Sequence, residues 1–276
     1  MLNISIIPNY EKAGVQDIIN MLRMNFDKEC NITVEKGCFE EKLSVCADAA
    51  VVLGGDGTIL HAAKMCAESK TPILGINLGT MGYMTGADKG NAKEAFRQLL
   101  SGDYTVNMRM MLDISVIRDG MVLYKGSALN DGVIFRNVRL LHMSEYIGDQ
   151  FVYSFAGDGI IISTPTGSTA YSLSAGGPVA PPDMQVMIST PVCPHSIHIR
   201  PVLVPADKQV KIVIKQLPEE EAALTVDGQN AMYLKEEDIV LFKKSVLEAG
   251  LISLKQLNFY DVLRYKLSVH DEEGIR

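Results

Sequence analysis

The hydrophobic pattern of this chain changes character near residue 104, and that change limits the folds open to it. Before it, short apolar runs alternate with stretches of helical spacing. Residues 2–7 are an apolar run, and residues 11–26 set Val15, Ile18, Ile19 and Leu22 on one helical face. Residues 49–53 are apolar without alternation, as in a strand covered on both faces. Residues 58–67 read as a helix and 73–76 as a strand; Asp88 reads as the cap of a helix that ends near residue 100, before Gly102. The strand–helix alternation predicts a parallel sheet with helices on its faces. Beyond residue 104, strand-like runs follow one another, punctuated by Asp119-Gly120, Asp131-Gly132, Asp158-Gly159 and Asp227-Gly228, each a hairpin signal. One short helix is expected near residues 169–175 and another over 261–267. The expected fold is an α/β N-terminal domain with a parallel sheet (1–104) and an all-β, sandwich-like C-terminal domain (105–254). The tail, about 255–276, is expected to pack back on the first domain.

Charge narrows the partners. The 276 residues hold 26 Lys+Arg against 33 Asp+Glu, a net charge of −7, where a nucleic-acid binder shows a basic excess. A phosphate ligand would need a metal ion or local basic groups to offset that field. No apolar stretch reaches the roughly 18 to 20 residues that span a bilayer. Leu2-Asn3-Ile4-Ser5 reads as the start of a strand and lacks the basic-then-apolar layout of a signal peptide. Cys30, Cys38, Cys46, Cys66 and Cys193 show no CxxC spacing, so reduced thiols in a cytoplasmic protein are expected rather than zinc or a disulfide framework. Met108–Met111 reads as core or interface filler.

Three segments point to chemistry. Gly54-Gly55-Asp56-Gly57-Thr58 joins the buried run to a helix, where open α/β sheets bind ligands and a helix start offers free N–H groups. A carboxylate aimed at a phosphate would repel it, so Asp56 faces a hydroxyl, a metal ion or both; otherwise it is an N-cap. A second glycine loop, Gly75 to Thr85, follows the next strand and does not fit GxGxxG, which counts against a dehydrogenase. The third segment, Gly157 to Pro178, holds seven Ser or Thr between Ser163 and Ser174, hydroxyls suited to a sugar–phosphate. Taken alone, Asn130-Asp131-Gly132 and Asp227-Gly228-Gln229 read as hairpin turns, and His195 and His198, at strand spacing, as structural histidines.

Together these segments resemble the NAD kinase family, in the family's order, from about residue 49 to 229. GGDGT alone is shared with lipid kinases; STPTGSTAYSLSAGGP is far more specific. The resemblance implies transfer of the γ-phosphoryl group of ATP, or of polyphosphate, to the adenosine 2′-hydroxyl of NAD, with the active site between two domains. It implies a divalent ion, expected as Mg²⁺, on the donor phosphates, and a homo-oligomer, tetramer or dimer. By motif, Asp56 is the proton acceptor and a candidate metal contact, flanked by Gly57 and His61, with Tyr83 as an aromatic wall. Asn130 and Asp131 would hold the adenosine; Asp158, Thr169, Ala170, Tyr171 and Ser174 would line the dinucleotide; Gln229 would close the site. Two departures stand out: Asp131 replaces the Glu of many members, and Phe155-Ala156-Gly157 replace basic residues found before Asp158 in some. Arg139 is a candidate source of the missing charge. A lipid kinase and a non-catalytic dinucleotide-binding regulator are the competing readings; an intact Asp56 argues against the regulator.

Overall fold

The computed structural model describes residues 1–36, 45–79, 82–136, 140–216, 222–254 and 259–267. In chain order the elements begin with β1 (Leu2–Pro8), α1 (Val15–Phe26), β2 (Cys30–Val34), β3 (Ala49–Gly54), α2 (Asp56–Ala67), β4 (Ile73–Asn77), β5 (Ala87–Asp88) and α3 (Ala92–Ser101). There follow β6 (Thr105–Arg118), β7 (Met121–Ala128), β8 (Asp131–Arg136), β9 (Leu141–Ile147), β10 (Gln150–Gly157) and β11 (Gly159–Ser163). The chain then runs through α4 (Tyr171–Ser174), β12 (Val186–Val192), β13 (Val202–Pro205), β14 (Val210–Gln216), β15 (Ala222–Val226), β16 (Gln229–Leu234), β17 (Ile239–Ser253) and α5 (Phe259–Leu267). Two compact units result: Met1–Met108 with Ala249–Arg276, and Arg109–Glu248. The divisions fall inside β6 and inside β17, whereas the sequence places a boundary at 104/105, the start of β6.

In the first unit β2, β1, β3 and β4 lie side by side, all parallel, and Leu251 of β17 pairs with Ile73 on the far side of β4. β3 and β4 are buried along their whole length, which is why their sequences run apolar without alternation. α1 buries Val15, Ile18, Ile19, Leu22 and Phe26 at helical spacing and shares one core with Phe96 and Leu99 of α3. α2 packs against β3 and β4. The Asp88 carboxylate accepts from Asn91 N–H ahead of α3, and Gly102, at φ 76°, ends it. Because the chain steps from β1 outward to β2 and then back across β1 to β3, the sheet has its topological switch point between β1 and β3. Crevices that bind ligands open there, at the carboxyl ends of the strands.

The second unit is antiparallel. β13, β12, β11, β8, β15 and β16 form one six-stranded sheet; β10, β9, β14 and β17 form another layer, and β6 pairs with β17 and with β7. Side chains of both layers, among them Ile134, Ile160, Ile162, Met143, Ile212 and Phe242, make a single core. Both fold expectations hold: a parallel α/β unit and a β-rich unit.

Two features differ from the sequence reading. Only Asp119-Gly120 and Asp227-Gly228 are hairpin turns, with φ of 51° and 77°, and of 49° and 76°. Asp131-Gly132 opens β8 instead, and a Cβ at Gly132 would press on Ile114 and Phe242; Gly159 lies in β11 against the backbone of Ile134. There glycine serves close packing rather than a turn. The segment holding His195 and His198 is irregular and exposed, not a strand.

Candidate functional site

Asp56 is the first residue of α2, directly after β3 and the Gly54-Gly55 bend. Its carboxylate accepts two backbone hydrogen bonds, from Tyr83 N–H to Oδ2 at 2.8 Å and from Met84 N–H to Oδ1 at 3.1 Å. The second glycine loop therefore clamps the carboxylate in one orientation. A Cβ at Gly82 would land on that carboxylate, so only glycine lets the loop close. Gly57 and His61 are one helical turn apart on α2, Gly57 exposed and His61 half-buried. Tyr83 is half-buried, and its phenol is pushed up by burial and by the nearby Asp56 charge, so it stays neutral. Thr80 and Met81 of this loop lie outside the described residues.

A cavity of about 230 Å³ opens at this point, walled by Gly54, Gly55, Asp56, Asn77, Gly79 and Gly82. Lys12 and Lys266 also line it. Asn9, buried just beyond β1, organises the rim: its Nδ2 donates to Thr58 Oγ1 at 3.3 Å and its Oδ1 accepts from Glu11 N–H at 3.0 Å. Asn9, Lys12 and Lys266 were not singled out by the sequence, because nothing local marks them. Among the described residues no three His, Cys, Asp or Glu side chains gather as a metal cage. Asp56 and Asn77 nonetheless offer hard oxygen donors. That fits Mg²⁺, which takes one or two protein ligands and fills its shell with water and phosphate oxygens.

The second unit gathers another set. Asn130 and Asp131 are buried at the start of β8, and Ser163 pairs across from Asp131 at the end of β11. The Asp227 carboxylate accepts from the N–H groups of Leu129, Asn130 and Asp131, at 3.0, 2.8 and 3.3 Å. It fixes that backbone from the β15–β16 turn, and Gln229 follows at the exposed start of β16. Burial, with Asp227 alongside, pushes the Asp131 carboxyl up to about 7. The Oδ1 of Asn130, the Oγ of Ser163 and the Oγ1 of Thr166 are buried with no hydrogen-bond partner among the described residues. Such atoms are costly unless something else satisfies them.

Thr169, Ala170, Tyr171 and Ser174 occupy one tight turn after β11, spanning a 3-10 turn (Thr166–Thr169) and α4. The turn is tied to Asn130, whose carbonyl accepts from Thr164 N–H at 2.8 Å. A Cβ at Gly167 would strike the Asn130 backbone. Most of the hydroxyls in this run hold the loop rather than face outward. Thr164 donates to Leu129 O at 2.6 Å, Ser168 to Pro165 O at 2.6 Å, and Ser172 meets Thr190 Oγ1 at 2.9 Å, all buried. The structure does not bring Asp158 to this group. It precedes Gly159, which pairs with Phe135, and so lies opposite Arg136, about 17 Å along the strands from Asp131. There Arg136 Nε donates to its carboxylate at 2.7 Å, a basic neighbour that comes from β8 rather than from the residues just before Asp158. Arg139 lies outside the described residues.

The sequence matches the ATP-NAD kinase N-terminal domain family over residues 15–104 and the ATP-NAD kinase C-terminal domain family over residues 131–254. An NAD kinase of Acetivibrio thermocellus is 40% identical, the match covering 97% of each chain. One of Moorella thermoacetica is 39% identical over 97% of this chain and 89% of its own. Among solved structures, yeast NADH kinase complexed with NADH superposes with a TM-score of 0.84 at 25% identity, over 100% of this chain and 89% of that one. An NAD kinase from Archaeoglobus fulgidus in complex with ATP shares the fold, with a TM-score of 0.75 at 22% identity over 96% and 98%.

Proposed function

Since this chain belongs to the NAD kinase family, we propose that Asp56 orients the adenosine 2′-hydroxyl of NAD and accepts its proton as the γ-phosphoryl group of ATP arrives. The overall reaction is the phosphorylation of NAD to NADP. The observation that carries the role of Asp56 is its clamp: two amide N–H groups fix the carboxylate in the wall of a cavity at the carboxyl ends of β3 and β4. A ribose hydroxyl is a far weaker acid than a carboxylic acid, so early proton removal is unfavourable. Phosphoryl transfer passes a loose transition state, and a carboxylate held in place needs only to align the hydroxyl and take its proton late.

Gly57 and His61 flank the acceptor, and Tyr83 gives an aromatic wall. Asn130 and Asp131 hold the adenosine. The unpartnered Asn130 Oδ1 supports this, because an adenine amino group is a donor it can accept from. Thr169, Ala170, Tyr171 and Ser174 line the dinucleotide, and Gln229 closes that edge. Asp158, engaged by Arg136, touches only a part of NAD remote from this pocket. Asp56 and Asn77 would hold Mg²⁺, which when bound neutralises charge on the donor phosphates. Polyphosphate is a candidate second donor.

A homo-oligomer, dimer or tetramer, is supported by Met121, Val122 and Leu123. They are exposed on β7, which among the described strands pairs only with β6. No helix among the described residues is long and apolar enough to cross a membrane. Cys30, Cys46, Cys66 and Cys193 are free thiols, in keeping with work in the cytoplasm, while Cys38 lies outside the described residues.

The test is NADP formation from NAD, Mg²⁺ and either ATP or polyphosphate, wild type beside Asp56→Asn. Loss of the proton acceptor should lower kcat by about 10²- to 10⁴-fold while NAD still binds. An Asp56→Asn variant with undiminished turnover would sink the role given to Asp56.

A further inference from the structure

We propose that Lys12 and Lys266 grip the phosphate chain of the phosphoryl donor in the cavity beside Asp56. The inference rests on the NAD kinase reading and deepens it by naming the donor's ligands. The two lysines come from opposite ends of the chain, yet both line the same cavity. Lys12 lies in the turn after β1, where its N–H donates to Asn9 O at 3.0 Å. Asn9 in turn is bonded to Thr58, so the backbone under Lys12 is anchored to the first turn of α2. Lys266 lies in the last turn of α5, with its ammonium 5.7 Å from the centre of the Tyr83 ring. The N–H of that same tyrosine holds Asp56.

Three considerations make the occupant a phosphate chain. The walls at Gly54, Gly55, Gly79 and Gly82 carry no side chains, so an anion can come close to backbone N–H groups at the start of α2. At about 230 Å³ the cavity is below the roughly 300 to 1,000 Å³ typical of sites that engulf a whole ligand, and it suits a phosphate chain better than a dinucleotide. Finally, the wall contains the Asp56 carboxylate in a chain of net charge −7, a setting that repels a triphosphate unless cations stand beside it. Two ammonium groups on flexible stems meet that need, because a lysine binds phosphate as a point charge and follows it as the chain shifts.

The test uses the full chain with Lys12→Ala, Lys266→Ala, the double variant and Lys266→Arg. Lys266→Met is added because it keeps the stem and the helix propensity while removing the charge. The Kd for ATP is measured by calorimetry without NAD, and KM is measured for ATP and for NAD separately. Each single loss of charge should weaken ATP about tenfold, and the double variant about a hundredfold. The KM for NAD should stay near the wild-type value, and Lys266→Arg should recover most of the affinity. Inorganic triphosphate should compete with ATP in the wild type and lose that competition in the double variant. Unchanged ATP affinity in the double variant overturns the proposal, as does a rise in the KM for NAD in place of that for ATP, which would hand the lysines to the NAD pyrophosphate. A wild-type protein that binds ATP through these lysines but makes no NADP would leave this site standing and remove the kinase reading.

Discussion

Two carboxylates of this chain show how setting decides what the same group does. Asp56 is half-buried and clamped by two amides, while Asp131 is buried next to Asp227 and keeps its proton to about pH 7. In the unfolded chain Asp131 ionises near pH 4. Between those values the folded protein binds the extra proton, so stability falls as pH rises from about 4 to 7 and levels off above. Glu145, fully buried and pushed up by burial, acts in the same direction. Asp131→Asn should flatten this slope and stabilise the protein at pH 8 by on the order of 3 kcal/mol, read from urea titrations at pH 5 and pH 8. Asp131→Asn that destabilises equally at both values would contradict it. Gly82→Ala should act on chemistry more than on stability. The added methyl displaces the Asp56 carboxylate, and kcat should drop about a hundredfold with Tm lowered by only a few degrees.

At the scale of elements, what was legible in the sequence is what is local. The GGDGT bend, the glycine loop and the hydroxyl-rich run each carry their signal within a few residues, and each stands at the end of a strand as its pattern implied. β2 escaped notice because it is five residues long, at the edge of its sheet, and only partly buried. Lys12, Lys266, Asn9 and Arg136 carry no local signal, and Asp227 reads only as a turn residue because the amides its carboxylate holds are about a hundred positions away; from sequence alone, Lys12 and Lys266 look like any solvated lysine. The hydroxyl-rich pattern suggests ligand groups, but the hydroxyls of Thr164 and Ser168 satisfy buried backbone carbonyls and that of Ser172 meets Thr190 Oγ1. Another long-range tie is Asp238, fully buried, which takes Arg118 Nε and a second guanidinium nitrogen at 2.7 Å each and Lys235 N–H at 2.7 Å. It pins β6 to the turn between β16 and β17. Asp238→Ala leaves a guanidinium and an amide without their acceptor and should cost about 3 kcal/mol, measured as a lower urea midpoint at unchanged m.

At the scale of the whole molecule, exposed Met121, Val122 and Leu123 on β7 predict self-association, which light scattering would read as a mass above one chain; Val122→Lys should lower that mass. The two units also differ in how they are laid out along the chain. The second is one continuous stretch, Arg109–Glu248, whereas the first is assembled from residues on either side of it. On a ribosome, which releases the chain from its N-terminus, the second unit can fold as soon as its own residues have emerged. The first must wait, with β4 paired to β5 at Ile76 and Asn77 but lacking its neighbour at Ile73, until Leu251 arrives. Lys266 comes later still, so the donor cavity gains its last wall only after the strands of both units have emerged, and until then a nascent chain has no complete place to hold ATP.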